Sequence, residues 1–241
     1  MQEGVKFSTF FYIAKRERVL IMFKESEIIY EDKDILICRK PAGVATQTKR
    51  LGQQDMESLL KNYRVKKGEP PYIGIVHRLD QPVEGLMVFA KNQQAAAHLS
   101  KQVQDRVIGK YYYAILKNTP VQREGVLEDY LLTDKKTNFT QVVESKMEDA
   151  KKAKLEYKVL ESKENKTLVD IKLHTGRQHQ IRVQMANAGC PLVGDSKYGE
   201  AGDKEQLALC SYKLEFEHPS KKSPMRFEIQ PLGKVFVEFF Q

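Results

Sequence analysis

Three cysteines in 241 residues, Cys38, Cys190 and Cys210, are all the chain offers for sulfur chemistry. Their number is odd, their spacings are long and no CxxC pair occurs. That excludes a disulfide framework and a cysteine-based zinc site, and it fits a reducing, cytoplasmic setting. Histidine is equally scarce. The closest two of five, His174 and His179, stand five apart, which is not the spacing of a helical ligand pair, and no HExxH is present. We therefore expect no metal site. Apolar runs reach only a handful of residues, whereas a transmembrane helix needs about 20, so a membrane-spanning protein is excluded on this reading. No internal repeat, low-complexity segment or Ser/Gly linker breaks the chain, and one compact domain is the simplest organisation.

What is present is an ordinary globular mix, 41% hydrophobic and 30% charged, with a basic excess. Forty Lys+Arg against 32 Asp+Glu give a net charge of +8. Such an excess points to an anionic partner, of which nucleic acid is the commonest, although many basic proteins are simply soluble. Residues 1–21 have neither a basic leader nor a small-residue cleavage site, so they do not read as a secretory signal. The periodic pattern begins only near Ile28, just after a second methionine, Met22. The expected division is an extension over 1–26, dispensable for stability and activity, followed by one domain over 27–241.

Along that domain, residues 27–30 and 35–38 read as short strands around a polar turn, ended by Lys40-Pro-Ala-Gly43. Asp55 can cap a helix through Leu59, Leu60 and Tyr63. Residues 85–91 form a continuous apolar run, the mark of a buried strand. Asn92 can cap a second helix through Ala96, Leu99 and Val103, ended near Gly109. Strands are expected at 110–117, 126–132 and 139–144. Ala153, Leu155, Tyr157 and Val159 then alternate with charged residues, and a turn at Asn165 leads into a second alternating run over 167–173, a hairpin with one wet face. A helix is predicted from Thr175-Gly176, with Ile181, Met185 and Ala188 as its apolar stripe and Gly189 closing it. Two more strands lie at 207–216 and 225–230. The class is α+β, a mixed, largely antiparallel sheet with flanking helices.

Polar residues crowd two places, Val76-His-Arg-Leu-Asp80 before the buried strand and Thr175-Gly-Arg-Gln-His-Gln-Ile-Arg182 at the third helix. On a helix, Gln178 and His179 share a face with Arg182 while Ile181 and Met185 point to the core. The N-terminus of such a helix suits an anion. Taken singly, Asp80 is an ordinary turn or cap aspartate, the arginines a solvated face, and Tyr111-Tyr112-Tyr113 strand packing.

Taken together, five ordered segments over roughly 27–230 resemble the RluA-type pseudouridine synthases. They are Lys40-Pro-Ala-Gly43; His77-Arg-Leu-Asp80 with its following strand; Lys110-x-Tyr112-x-Ala114; Thr175-Gly-Arg-x-His-Gln-Ile-Arg182; and Gly189-x-Pro191-x-x-Gly194-Asp195. The resemblance implies the pseudouridine synthase catalytic fold and isomerisation of uridine to pseudouridine in structured ribosomal or transfer RNA, without cofactor or metal. It places the catalytic aspartate on Asp80, the base-stacking tyrosine on Tyr112 and the basic partner of the aspartate on Arg182. Arg78 matches a position associated with the space left by the flipped nucleotide. His77, Arg177, His179 and Gln180 complete the expected substrate-binding set.

Two departures stand out. Val83-Glu84 occupies the place where the family often carries Thr-Ser, bringing a negative charge near an RNA site. Residues 1–26 are also too few for the S4 RNA-binding domain of many relatives, so RNA recognition falls to the domain's own surface. Lys49-Arg50, Lys61, Arg64, Lys66-Lys67 and Lys221-Lys222 are candidates for phosphate contact. A monomer is expected. Two other readings remain open on residues alone: a non-catalytic RNA-binding protein on the same scaffold, and a hydrolase using Asp80 with His77 or His179.

Overall fold

A computed structural model of the chain describes residues 27–50, 52–200 and 202–240; the expected extension over 1–26 lies outside the described residues. Eleven strands and four helices follow one another as β1 (Ile28–Glu31), β2 (Ile35–Lys40), α1 (Met56–Lys66), β3 (Gly74–Ile75), β4 (Glu84–Ala90), α2 (Gln93–Gln104), β5 (Gly109–Leu116), β6 (Glu124–Asp134), β7 (Phe139–Val143), β8 (Lys151–Lys163), β9 (Lys166–Leu173), α3 (Gln180–Asn187), β10 (Leu209–Glu217), β11 (Pro224–Glu228) and α4 (Val237–Phe240). The strands form one sheet in the order β1-β2-β4-β10-β5-β9-β8-β6-β7, with β3 beside β4 and β11 beside β10. All pairs are antiparallel except β4 with β10, which run parallel through Cys210–Glu84 and Ser211–Gly85.

The continuous apolar strands are covered on both faces, as such runs require. Leu36, Cys38, Met87 and Phe89 point to one side with α1 and α3, while Ile35, Ile37, Leu86 and Val88 point to the other with α2. The chain's last turns press Phe236, Phe239 and Phe240 against Cys210 and Tyr212. The three cysteines are free and buried. None of the described helices is long and apolar enough to cross a membrane.

Asp55 caps α1 through a reciprocal capping box with Ser58, and Asn92 caps α2 by accepting from the Ala95 N–H. Gly189 ends α3 at φ +76°, with Gly189 N–H donating to Ala186 O and Cys190 N–H to Met185 O, a Schellman closure. Two expected boundaries move. α2 stops at Gln104 and turns at Arg106, which itself takes the left-handed conformation at φ +59°, so Gly109 is the first residue of β5 instead of a helix stop. α3 starts at Gln180, not at Thr175-Gly176. The Gln180 carboxamide reaches back to accept from Thr175 Oγ1 (2.7 Å) and Arg177 N–H (3.0 Å), and His179 sits at φ +53°. Those two features hold 175–178 as a loop and place Gln178 outside the helix.

Candidate active site

A cleft of about 1280 Å³ opens on the α1/α3 side of the sheet, and every residue expected at the site lines it: His77, Arg78, Asp80, Tyr112, Arg177, His179, Gln180 and Arg182. The volume exceeds the range of roughly 300–1,000 Å³ usual for small-ligand pockets. Seven Lys or Arg residues line it against Glu57 and Asp80, so its natural occupant is a large anion.

Asp80 sits on the loop between β3 and β4, its side chain 29% exposed and hence reachable from the cleft. Its position is fixed by the preceding hairpin. Lys40, the fully buried last residue of β2, donates to the carbonyls of Pro41 (3.0 Å), Val44 (2.6 Å) and Gln81 (3.1 Å). Burial draws the Lys40 ammonium down to about 7, against the upward pull of Asp80 and Glu84. Thr46 Oγ1 donates to Leu79 O and accepts from Leu79 N–H, and Gly43 N–H donates to Gln81 O. The 40–46 loop therefore clamps both sides of Asp80.

Arg182 on α3 faces Asp80 with Nη1 at 3.7 Å. Its shorter bonds go elsewhere: Nε and Nη2 grip the sealed Asp195 carboxylate at 2.8 and 2.6 Å. Burial alone would weaken the Arg182 cation, but Asp195 and behind it Asp80 reverse that and hold its pKa above the ordinary value. Asp195 is held below its ordinary value by the same pair, against the opposing effect of burial. The two-pronged bond uses the planar guanidinium fork, leaving one edge for Asp80. Asp195 follows Gly194, whose φ of +73° and approach to the Gln206 backbone leave no space for a side chain.

His179, three residues before Arg182, brings Nε2 to 3.9 Å from the same Asp80 oxygen. Its Nδ1 meets Tyr198 Oη at 2.6 Å, and that oxygen accepts from Thr140 N–H. Where the Tyr198 hydroxyl donates to Nδ1, the ring proton lies on Nε2, toward Asp80; where Nδ1–H donates to the hydroxyl, Nε2 is an acceptor. Burial, with Arg182 and Lys197 nearby, lowers the His179 pKa against the pull of Asp80, so the ring is neutral at pH 7. Tyr112 rises from β5 and is 6% exposed; burial and the Asp80 charge push its phenol pKa up, so it stays protonated.

The remaining expected residues divide. Arg78 is exposed and free of any acidic partner among the described residues. Arg177 donates Nε to Lys152 O at 3.0 Å. Gln180 has its amide engaged on both sides, with Thr175, Arg177, Lys154 and Gln184, and braces the loop above it. His77 accepts the Val88 N–H on Nε2 at 3.1 Å. Of the surface cations expected to meet phosphate, Arg64 is turned inward onto Tyr72 O, Lys91 O and Glu69, while Lys61 and Lys67 are bonded to Glu57 and Glu31. Arg50 alone of that set lines the cleft. Glu84 is buried, lies outside the cleft lining, accepts the Leu232 and Gly233 N–H groups and faces Arg39 at 4.0 Å. Its charge is directed to the chain's end, away from the expected RNA site.

One cluster of possible metal ligands occurs among the described residues, Asp32, Asp34 and His218. His218 Nδ1 accepts from the Ser220 and Lys221 N–H groups, so its proton lies on Nε2 and goes to Asp32 at 2.8 Å. Lys221 bonds the same Asp32 oxygen. That knot ties the β1–β2 turn to the β10–β11 turn and offers no free imidazole nitrogen.

Residues 34–187, well over half of the chain, match the family described as RNA pseudouridylate synthase. A dual-specificity RNA pseudouridine synthase RluA of Vibrio parahaemolyticus is 37% identical over 80% of this chain and 78% of its own length. The chain belongs to the RluA-type RNA pseudouridine synthases. Ribosomal large subunit pseudouridine synthase D of Pseudomonas aeruginosa is 36% identical over 88% of the chain and 70% of its own. The solved structure of human RNA pseudouridylate synthase domain containing 4 shares the fold, with a TM-score of 0.73 and 23% identity over 88% of this chain and 90% of its own. As an RNA pseudouridine synthase the protein is an isomerase, and RNA is its substrate. Geometry gives the Lys40 and Asp195 segments a role that their motifs alone do not show, since Lys40 fixes the Asp80 loop and Asp195 fixes Arg182.

Proposed function

We propose that this synthase isomerises specific uridines in structured ribosomal or transfer RNA, as a cytoplasmic monomer, with Asp80 as the nucleophile or base after the uridine is flipped out. The observation that carries this reading is the placement of Asp80: among the described residues it is the only carboxylate on the cleft wall facing Arg182, and Arg182 is itself immobilised by a second, sealed carboxylate. The reaction breaks the N-glycosidic bond, turns the uracil and joins C5 to C1′. A uridine in a stem must first leave the stack, at a cost of a few kcal/mol. The Tyr112 ring on the cleft floor offers stacking worth about 1–3 kcal/mol in return. Asp80 must be ionised to act, and Arg182, charged at every physiological pH, favours that form. Ribosomal RNA is favoured by the Pseudomonas relative, a ribosomal large subunit pseudouridine synthase.

Pseudouridine mapping by chemical derivatisation and reverse-transcription stops tests the reading. Ribosomal and transfer RNA from cells lacking the protein should miss one or a few pseudouridines. Wild type should restore them, and Asp80→Asn should not, while still binding RNA. Restoration by Asp80→Asn near the wild-type level removes Asp80 from the mechanism, and unchanged maps remove both RNA pools as targets.

A further inference from the structure

At one end of the cleft, three cations from three elements converge without a counter-charge. Arg106 stands exposed on the turn after α2. Lys110 lies on β5, two residues before Tyr112 and so on the same face. Arg177 belongs to the loop before α3. Lys110 Nζ packs against that loop so closely that a Cβ on Gly176 would lie 3.3 Å from it. Burial first, and then Arg106, lower the Arg177 pKa; burial lowers that of Lys110. Among the described residues none of the three forms an ion pair, and the one side-chain hydrogen bond they make runs from Arg177 to Lys152 O. A second groove adjoins the cleft across Arg106 and Lys110, and there three of the cations are neutralised, Lys101 by Asp105, Lys222 by Glu217 and Arg226 by Glu215 and Glu228, with Lys172 the exception among the described residues. Three uncompensated cations thus meet at the saddle between the two cavities, while Arg50 and Arg78 in the cleft and Lys172 in the groove stand singly without an ion pair among the described residues. Arg106 is held there in a left-handed conformation uncommon for a non-glycine residue.

We propose that Arg106, Lys110 and Arg177 clamp a backbone phosphate of the RNA next to the flipped uridine, so that the strand leaves the cleft over the end of α2. The clamp rests on the reading of the cleft as the uridine site. Residues two apart on a strand are about 7 Å apart, so a base resting on Tyr112 brings a backbone phosphate within reach of the Lys110 ammonium. Such a clamp positions the strand and reads no base, and its loss weakens all target sequences alike.

The test is the salt dependence of binding to a short RNA hairpin with a uridine-bearing loop, read by anisotropy across a KCl series. Arg106→Gln and Lys110→Met should each flatten the slope of log Kd against log salt by about 0.7–0.9, the value of one lost phosphate contact. On an RNA that the enzyme modifies, KM should rise roughly tenfold with kcat within about twofold. Lys33→Gln, which removes an exposed charge on the β1–β2 turn, should leave the slope unchanged. Slopes equal to wild type for both clamp variants overturn the clamp, as does an equal flattening by Lys33→Gln. Arg106 is exposed, so its variant is read even where Lys110→Met fails to fold. A wild type that makes no pseudouridine overturns the functional reading instead, while the binding slopes still decide the clamp.

Discussion

Arg182 divides its guanidinium between two carboxylates of opposite exposure. Asp195 is sealed and takes two short bonds; Asp80 is open to the cleft and takes a longer contact. The division lets one group be structural and the other available to a substrate. His77 shows the same logic in a titrating group. Its pKa is pulled to about 3, chiefly by burial and then by the Lys110 charge, and its neutral Nε2 accepts from Val88 N–H. Below about pH 6.5 the unfolded chain takes up a proton that the folded chain refuses. The stability contributed by neutral His77 is therefore whole above pH 6.5 and is lost as pH falls toward 3, up to a few kcal/mol at about 1.4 kcal/mol per unit. His77→Gln, which keeps an acceptor for Val88, should flatten the acid limb of stability in urea melts between about pH 7 and pH 4; an unchanged limb would assign acid sensitivity to other groups. At this scale, the meeting of Asp80, Tyr112 and Arg182 at one cleft was legible because each stands in a short motif. Asp195, Tyr198 and the carbonyls around Lys40 were not, because their bonds to Arg182, His179 and the Asp80 loop join residues that only the fold brings together.

Elements were legible where one residue type sets a boundary. Asp55 and Asn92 announced α1 and α2 because their side chains satisfy the first free N–H groups. The start of α3 was not legible, since a side chain within the helix, Gln180, bonds backward and competes with helical geometry before it. The short strand β3 carries no periodicity to read. β4 was legible as a buried run, but the demand on Gly85 was not. It sits at φ +128°, and a Cβ there would fall inside contact distance of the Ser211 backbone. Gly85→Ala should therefore part β4 from β10 and cost about 3 kcal/mol or more, read as a lowered urea midpoint. A midpoint within experimental scatter of wild type would mean that the strands separate without loss.

In the whole molecule, β10 is the hinge between two sets of strands. β1 to β4 lie on one side of it, and β5 to β9 on the other. Asp80 belongs to the first set; Tyr112 and Arg182 belong to the second. The α+β class and every strand but β3 could be read from periodicity, but not this order, because the pairing of β4 with β10 spans more than 120 residues and leaves no local pattern. A chain ended after Gln206 keeps all three of those residues yet lacks the strand that aligns them. It should show no pseudouridine formation and weak amide protection in β4 and β5 by hydrogen exchange. Protection at the full-length level would show that the two halves dock without β10.

The late arrival of that strand has a consequence during synthesis. β10 follows β1 to β9 and α3 in the chain, so during synthesis the halves that carry Asp80 and Arg182 both emerge before the strand that joins them. A nascent chain that has not yet made β10 is therefore expected to form no pseudouridine in the RNA of the ribosome that is making it, as the chain ended after Gln206 would test.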